Sequence, residues 1–364
     1  MRNLANLIQV CLEKQIPFVS FRLPHEKTLQ TWVQVSGRFD FFESIEEIGD
    51  QSGFVYAPFH RRTNFPVIFF KPEQIFRDDL IVSSFLKELA RKEPFYPDYE
   101  VAEPPEISKD EYLNQAGFII HSFEQNFKKA VLSRVQKLAK PDNFDLAGFF
   151  VRMQNNYPQA FCHLIHIPGT GTWAGATPET LLRIEGELAQ TVSLAGTQAL
   201  SDYEKRPIWQ EKDLEEQQIV TDYIEDLLKK YHFKNYKKEN LENANAGHLV
   251  HLATRFSFEK RNIESNLGFF LSALHPTPAI CGFPKEKALE MILKTENHNR
   301  EYYAGFCGPV NYLSRTDLFV NLRCMKILPD SLALFLGGGL TAKSDPAKEW
   351  DETVLKSQTL KKLI

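Results

Sequence analysis

Apolar residues recur along the chain at two spacings, and each spacing predicts a different element. Apolar residues three or four apart fit amphipathic helices, whereas alternating or continuous short apolar runs fit strands. The predicted helices are 1–14, 80–91, 108–127, 146–155, 211–230, 264–274, 285–294 and a last one from about 346. The predicted strands are 18–21, 39–42, 54–56, 67–70, 130–135, 160–167, 180–184, 189–194, 248–254, 303–312, 318–327 and 332–336. The pattern therefore predicts a mixed protein, with an antiparallel meander in the segment 160–194.

A cluster of prolines and acidic residues over 93–108 marks the best internal boundary. Prolines interrupt helices and strands, so this stretch favours a linker or a crossing segment. A new helix is predicted directly after it, because Ser108 and Glu111 have the spacing of a capping box. We therefore divide the chain into residues 1–105, an N-terminal part of the fold with a helix and short strands, and residues 106–364.

The C-terminal stretch combines an apolar strand, three glycines and a charged helix. The strand 332–336 ends on the glycines at 337–339, where no side chain separates the backbone from a ligand. The following helix presents two carboxylates and an ammonium on one face: Glu349, Glu352 and Lys356. This face suits a divalent cation such as magnesium with an anionic small molecule. A solvated face with charge pairs along the helix fits the same spacing.

Two more charged residues fall where apolar ones are expected. Glu216 extends the apolar stripe of helix 211–230. A carboxylate in that row is costly unless it is paired or binds a metal, although the first helical turn could still reach solvent. Arg323 lies inside the predicted strand 318–327 and needs an anion there. That anion is either a substrate carboxylate, held by a two-pronged contact, or an internal salt-bridge partner.

The composition is that of a globular protein. Of the 364 residues, 43% are hydrophobic and 12% aromatic, which is enough for a substantial core. The net charge of -4 comes without a basic block, which argues against nucleic acid as a partner. No apolar run is long enough to cross a membrane, and the amphipathic start differs from a signal peptide. Five cysteines without metal or disulfide spacing fit a reducing cytosol, so we expect a cytoplasmic protein.

From about Ser108 to the C-terminus, short segments occur in the order of one family's motifs. The segments are Lys-Ala-Val-Leu-Ser-Arg at 129–134, Gly-Ala-Thr-Pro-Glu at 175–179, Leu-Ala-Gly-Thr at 194–197, Glu-Lys-Asp at 211–213 with Glu216, His-Leu-Ala-Thr at 251–254, His-Pro-Thr-Pro-Ala at 275–279 with Gly-Phe-Pro at 282–284, Arg-Cys at 323–324, the glycines at 337–339, and Glu-Trp-Asp-Glu-Thr at 349–353 with Lys356. The sequence therefore resembles the chorismate-utilising enzymes, which include isochorismate synthase, salicylate synthase, anthranilate synthase component I and aminodeoxychorismate synthase.

Two segments distinguish the water-adding members of this family from the ammonia-adding members. Lys129 stands where the water-adding members carry a lysine, which the ammonia-adding members lack, and the segment 193–197 also resembles the water-adding members. The resemblance implies an isochorismate synthase, an isomerase that adds water at C2 of chorismate and removes the C4 hydroxyl, for menaquinone or siderophore biosynthesis. Salicylate synthase, which goes on to eliminate pyruvate, is the nearest alternative, and a catalytically dead chorismate-binding module is another.

The resemblance also implies roles for individual residues. Lys129 would be the general base, which requires burial or nearby positive charge to lower its pKa, and Glu179 the general acid, which requires a raised pKa. Mg²⁺ would be held by Glu216 and Glu352, with Glu349 close by. The residues expected to bind substrate are Gly196, Thr197, Ala279, Tyr303, Arg323, Gly337, Gly338, Gly339 and Lys356. His251 and His275 would have structural or supporting roles.

The implied fold is α+β, with two large antiparallel sheets flanked by helices, the site between the sheets, and residues 106–364 as the chorismate-binding catalytic core. We expect a monomer that binds chorismate and needs no amidotransferase subunit. Some positions depart from the family pattern: Gln217 replaces a histidine, Ala304 a glycine and Cys281 a serine. None of these departures removes a residue assigned to the chemistry, so any effect they have would fall on substrate affinity or rate.

Overall fold

The fold consists of two antiparallel sheets with helices packed around them. The computed structural model of the protein describes residues 2–37, 40–60, 65–94, 103–123, 127–199, 207–246 and 249–364. The helices are α1 Arg2–Lys14, α2 Ser83–Ala90, α3 Lys109–His121, α4 Leu146–Asn156, α5 Glu211–Lys230, α6 Leu267–Leu274, α7 Lys285–Thr295 and α8 Pro346–Lys361. Short 3-10 turns lie at Ile45–Glu47, Lys260–Asn262 and Glu264–Asn266.

The strands are short on the N-terminal side and longer afterwards. They are β1 Phe18–Arg22, β2 Gln30–Val33, β3 Asp40–Phe42, β4 Gly53–Ala57, β5 Val67–Phe70, β6 Gln74–Arg77, β7 Lys129–Ala139, β8 Phe161–Ile167, β9 Gly171–Thr177, β10 Thr180–Glu185, β11 Leu188–Ala199, β12 Lys237–Lys238, β13 Glu242–Ala246, β14 Leu249–Glu259, β15 Gly282–Phe283, β16 Phe306–Val310, β17 Arg315–Val320, β18 Cys324–Ile327 and β19 Ser331–Leu340.

Each sheet mixes strands from distant parts of the chain. The first sheet has the order β15-β7-β19-β18-β9-β8-β1-β2-β6. The second has the order β12-β14-β11-β10-β17-β16-β4-β5-β3, with β13 paired to β14. The first ninety residues therefore contribute strands to both sheets, with β1 paired to β8 and β4 paired to β16.

Aromatic side chains join the two sheets in one core. Phe161 of the first sheet stacks on Phe319 of the second, with ring centroids 4.3 Å apart. Phe21 and Phe54 make a similar contact across the sheets at 5.5 Å. Burial of such large rings supplies much of the hydrophobic driving force for folding. The predicted α+β architecture with two large antiparallel sheets is confirmed.

Several predicted elements have different bounds or surroundings. The first predicted helix is confirmed, and the capping box of α3 is present, because Ser108 Oγ accepts from the Glu111 N–H and the Glu111 carboxylate accepts from the Ser108 N–H. The strands β2, β6, β9, β12, β13 and β15 were not predicted. Of the predicted boundary 93–108, residues 95–102 lie outside the described residues, as do positions 39, 124–126 and 248.

Two predictions near the C-terminus were wrong in ways that affect the site. The apolar strand does not end at the glycines: β19 runs through 337–339, which pair with 131–133 of β7. Arg323 is not inside a strand either. The chain crosses from β17 in the second sheet to β18 in the first, and Arg323 lies in that crossing with φ 48°. Apolar alternation continues on both sides of the crossing, which is why the pattern reads as one strand.

Candidate active site

Most of the predicted site residues surround one cavity between the sheets, here called the inner cavity. From the second sheet and its loops come Glu179, Gly196, Thr197 and His251, and from the first sheet come Gly337 and Gly339. The other predicted residues that line the inner cavity are Glu216 from α5, Glu352 and Lys356 from α8, and Ala279, Tyr303 and Arg323 from loops. Lys129 lies directly behind this lining, while Glu349 and Gly338 lie on its α8 side.

Lys129 is fully buried at the start of β7 and forms an ion pair with Glu216. Its Nζ lies 2.9 Å from Glu216 Oε1, and the two side chains are 0% and 12% exposed. Glu216 borders the buried face of α5, next to the fully enclosed Gln217. A buried lysine needs such a partner, because an isolated ammonium in the core would be strongly destabilising. The predicted base and a predicted metal ligand are therefore in direct contact.

Glu179 is buried between β9 and β10, and burial raises its pKa to about 7. The positive charges of Lys129, Arg323 and Lys356 act in the opposite direction but do not cancel the effect of burial. Near neutral pH a substantial fraction of this carboxyl is therefore protonated and able to donate a proton, as a general acid must.

Helix α8 presents its charged residues to the glycines of β19. Lys356 Nζ lies 2.5 Å from Glu352 Oε1 and donates a hydrogen bond of 2.8 Å to the carbonyl of Gly337. Burial acts to raise the pKa of Glu352, but this ion pair outweighs it and lowers the pKa. Glu349, one turn earlier, is buried and pairs with Lys212 of α5. Burial and the neighbouring charge of Glu352 raise the pKa of Glu349.

The glycines of β19 leave room for side chains on both faces of the strand. A methyl group at Gly339 would overlap the Glu216 carboxylate and press on Lys129, whose Cε would be 3.2 Å away. On the other face, a methyl group at Gly338 would be 3.2 Å from Glu349 Oε2. Only glycines at 338 and 339 therefore permit the two glutamates to approach this strand without displacement.

The inner cavity is also lined by the half-buried Arg323 and the buried Tyr303. The Arg323 guanidinium is enclosed, and its Nη1 has no hydrogen-bond partner among the described residues. Burial lowers the pKa of Arg323 and raises that of Tyr303. The Tyr303 ring stacks on Phe335 with centroids 5.6 Å apart, and its hydroxyl lies against Gly337. An unpartnered guanidinium beside a phenol suits recognition of a carboxylate.

The two histidines differ in position. His251 lines the inner cavity and donates from Nδ1 to the Gly196 carbonyl at 2.7 Å, while burial lowers its pKa to about 3. The imidazole is therefore neutral, with Nε2 lacking a partner among the described residues. His275 caps α6 and packs edge-on against Phe306, with ring centroids 5.0 Å apart. It is not part of the inner cavity lining.

Sequence reasoning did not single out Lys212 or a buried cluster behind the cavity wall. Lys212 stands one helical turn before Glu216 and interacts electrostatically with all three predicted metal ligands. Its i, i+4 spacing to Glu216 is the sequence signal that could have identified it.

In the buried cluster behind the cavity wall, Arg300 forms an ion pair with Glu296 at 2.6 Å and donates to the carbonyls of Val131 and Ile280. Those two residues line the inner cavity, so the pair fixes part of its wall.

The carboxylates of Glu216, Glu349 and Glu352 provide oxygen ligands of the kind that a hard cation such as Mg²⁺ prefers. Glu349 Oε2 is buried without a hydrogen-bond partner among the described residues, and Glu349 interacts with the like charges of Glu352 and Glu216. A divalent cation would relieve this repulsion. Within the same part of the chain, no three metal-ligating side chains form a ready coordination shell. Each carboxylate pairs with a lysine instead, so binding of a cation requires these pairs to rearrange.

The departures from the family pattern have local explanations. Gln217 donates to the carbonyl and hydroxyl of Ser193 and so ties α5 to β11. Ala304 adopts φ 59°, a left-handed conformation that is energetically less costly for glycine than for alanine. Its N–H donates to the backbone carbonyl of Asn321. The backbone carbonyl of Cys281 accepts from the Val131 N–H, and its side chain is buried. None of these contacts displaces a residue from the inner cavity.

The chain resembles isochorismate synthases in sequence. The isochorismate synthase EntC of Escherichia coli (strain K12) is 30% identical over 239 residues, which are 64% of this chain and 61% of that protein. The matched stretch thus spans less than two thirds of that relative. No helix in the described ranges is long and apolar enough to span a membrane.

Two solved structures share the fold. The menaquinone-specific isochorismate synthase MenF of Escherichia coli has a TM-score of 0.76 at 18% identity, over 95% of this chain and 88% of that one. Anthranilate synthase component I of Streptococcus pneumoniae TIGR4 has a TM-score of 0.66 at 16% identity, over 94% and 90%. Finally, the profile of the chorismate binding enzymes matches residues 72–364, well over half of the chain. The protein therefore belongs to the chorismate-binding enzyme family.

Proposed function

We propose that the protein is an isochorismate synthase, which converts chorismate to isochorismate. The observation that carries this proposal is the placement of Lys129 and Glu179 around one cavity, as a buried amine and a carboxyl with a pKa near 7 that interact electrostatically. The isomerisation needs a base to take a proton from the attacking water and an acid to protonate the departing hydroxyl. The sequence relatives named isochorismate synthase support the same reaction.

The reacting groups would be held by the side chains around the inner cavity. Arg323, with its unpartnered Nη1, and Tyr303 would bind one carboxylate of the substrate, and Lys356 would bind near the other. Glu216 and Glu352, with Glu349 close by, would hold Mg²⁺. A bound Mg²⁺ would balance the charge of a substrate carboxylate and fix its position. His251, as a neutral imidazole, would face the ring with Nε2.

In the catalytic step, Lys129 would take a proton from the water that attacks C2. For this, its amine must leave the ion pair with Glu216 and lose its own proton. Glu179 would donate its proton to the C4 hydroxyl, which departs as water. The burial that raises the pKa of Glu179 keeps that proton in place until the hydroxyl needs it.

The proposal also covers the subunit composition, the compartment and the pathway of the enzyme. Lys129 is the residue that favours water over ammonia, so no amidotransferase subunit is needed, and we propose a monomer. The five cysteines are all buried and unpaired, which suits the reducing cytosol. The product would serve menaquinone or siderophore biosynthesis, depending on the enzymes that accompany it.

The test is to incubate the purified protein with chorismate, with and without Mg²⁺ and ammonium, and to identify the products by proton NMR. We expect isochorismate alone, formed only with Mg²⁺. Salicylate with pyruvate would instead identify the protein as a salicylate synthase. Anthranilate formed with ammonium would show that Lys129 does not distinguish the water-adding from the ammonia-adding members. If no product forms while chorismate still binds, the protein is a binding module.

A further inference from the structure

A second cavity, here called the outer cavity, is also lined by Glu179 and has a volume of about 470 Å³. One wall is the face of the second sheet that carries Gln190 and Val192 of β11 and Ala253 of β14. Arg183 and Arg255 also line it, and their side chains are 41% and 43% exposed. The outer cavity therefore extends from bulk solvent to the buried acid.

The inner and outer cavities adjoin each other at four residues. The residues that line both are Pro178, Glu179, Leu194 and His251. Of these, Glu179 carries the proton that the proposed reaction consumes, and among the described residues no group forms a hydrogen bond to its carboxyl that could deliver another. The proton must therefore reach Glu179 through water in one of these two spaces.

The outer cavity is suited to hold water. Asp317 lies in its wall between Arg183 and Arg315, at 3.5 and 3.3 Å, so that wall presents fixed charges. Gln190 and Asn243 add amide groups. A cavity holds ordered water when it is polar and exceeds about 10–15 Å³ per molecule, and this one exceeds that limit many times.

The proposed reaction leaves the enzyme in the wrong protonation state after each turnover. One proton passes from the attacking water to Lys129, and one passes from Glu179 to the departing hydroxyl, so no proton is gained or lost overall. The protein nevertheless ends with a Lys129 ammonium and a Glu179 carboxylate. Before the next turnover the Glu179 carboxylate must take up a proton.

Resting on the proposed function, we infer that the outer cavity is the solvent route that returns a proton to Glu179 and receives the water formed from the departing hydroxyl. Substrate or product occupies the inner cavity during turnover, so this space cannot serve the acid at that stage. The attacking water would approach on the Lys129 side, and the departing water would leave on the Glu179 side. The two ends of the reaction thus exchange with solvent through separate spaces.

The test narrows the outer cavity with bulky side chains that do not touch the inner one. Val192→Phe and Gln190→Phe both do this at half-buried positions on the same face of β11, so the two variants test the inference independently. Leu188→Phe is the matched control, because Leu188 is 47% exposed on the same strand and does not line the cavity. Isochorismate formation is measured in H₂O and D₂O, and thermal unfolding checks the fold of each variant.

We expect both narrowed variants to lose kcat by about tenfold or more, within the ~10²–10⁴-fold that acid catalysis contributes. Their kcat/KM should change little and the solvent isotope effect on kcat should rise, because the slow step follows product formation. A fall in kcat/KM with unchanged kcat would make the outer cavity the substrate's path and overturn the inference, as would variants that behave like Leu188→Phe. If the wild-type protein forms no isochorismate, the proposed function fails instead.

Discussion

Lys129 Nζ lies 2.9 Å from Glu216 Oε1, so the residue proposed as base is held by a residue proposed as metal ligand. The contact links two roles that sequence motifs assign separately, because β7 and α5 are far apart in the chain. While its Nζ is held against the Glu216 carboxylate, Lys129 is not available to an attacking water. Recruitment of Glu216 by a cation would therefore also free Lys129, and the chemistry of one depends on the other.

Lys129→Gln should abolish water addition while the protein stays folded and still binds Mg²⁺. Loss of a general base typically lowers turnover by ~10²–10⁴-fold. Turnover is measured by product formation, and Mg²⁺ binding by calorimetry. Lys128→Gln, at the exposed neighbouring lysine, is the control and should keep full activity. Wild-type turnover in Lys129→Gln would refute the assigned role.

The raised pKa of Glu179 predicts how activity and stability depend on pH. Activity should fall as pH rises above about 7, because the acid loses its proton. The folded carboxyl holds its proton more tightly than the unfolded one, so its stabilising contribution is present below pH 4.5 and is lost as pH rises through about 7. Glu179→Gln should abolish activity and weaken the loss of stability with rising pH.

Thermal unfolding from pH 5 to 8 measures that difference between wild type and Glu179→Gln. Some dependence should remain in the variant, because burial raises the pKa of Glu349 as well. Identical stability profiles for the two proteins would contradict a raised pKa at Glu179.

Gly339→Ala should lower both Mg²⁺ affinity and turnover, because its methyl group would displace Glu216 and press on Lys129. Calorimetry with Mg²⁺ and steady-state kinetics measure the two effects. Gly117→Ala is the control: Gly117 lies in α3 with open space around its Cα, where alanine should stabilise the protein by about 0.4–1 kcal/mol. Unchanged Mg²⁺ binding in Gly339→Ala would show that Glu216 moves freely there.

Glu296→Gln should destabilise the protein markedly, because it leaves Arg300 as a buried charge without its partner. Breaking such a pair typically costs about 3–5 kcal/mol, which urea unfolding measures directly. Arg261→Lys, at an exposed ion pair with Glu259, should cause no comparable change. A small effect of Glu296→Gln would mean that the backbone carbonyls of Val131 and Ile280 suffice to hold Arg300.

Periodicity predicted the charged faces well, because helix geometry alone places Glu349, Glu352 and Lys356 together. It also predicted Glu216 in the apolar stripe of α5, but the buried row of that helix runs through Gln217, and Glu216 lies at its edge. Arg323 was misplaced because the apolar alternation of β17 and β18 conceals the crossing between sheets. Which lysine pairs with which carboxylate depends on how α5, α8 and β7 pack in three dimensions, and no local pattern encodes that.

The N-terminal strands have a consequence for work with shortened chains. β1 pairs with β8, and β4 pairs with β16. A fragment that began at residue 106 would therefore expose β8 and β16 as edge strands with unpaired backbone groups. Such edges recruit other chains, so the fragment would self-associate although every residue assigned to the chemistry were present. Residues 106–364 thus depend on the first 105 residues to remain a separate molecule.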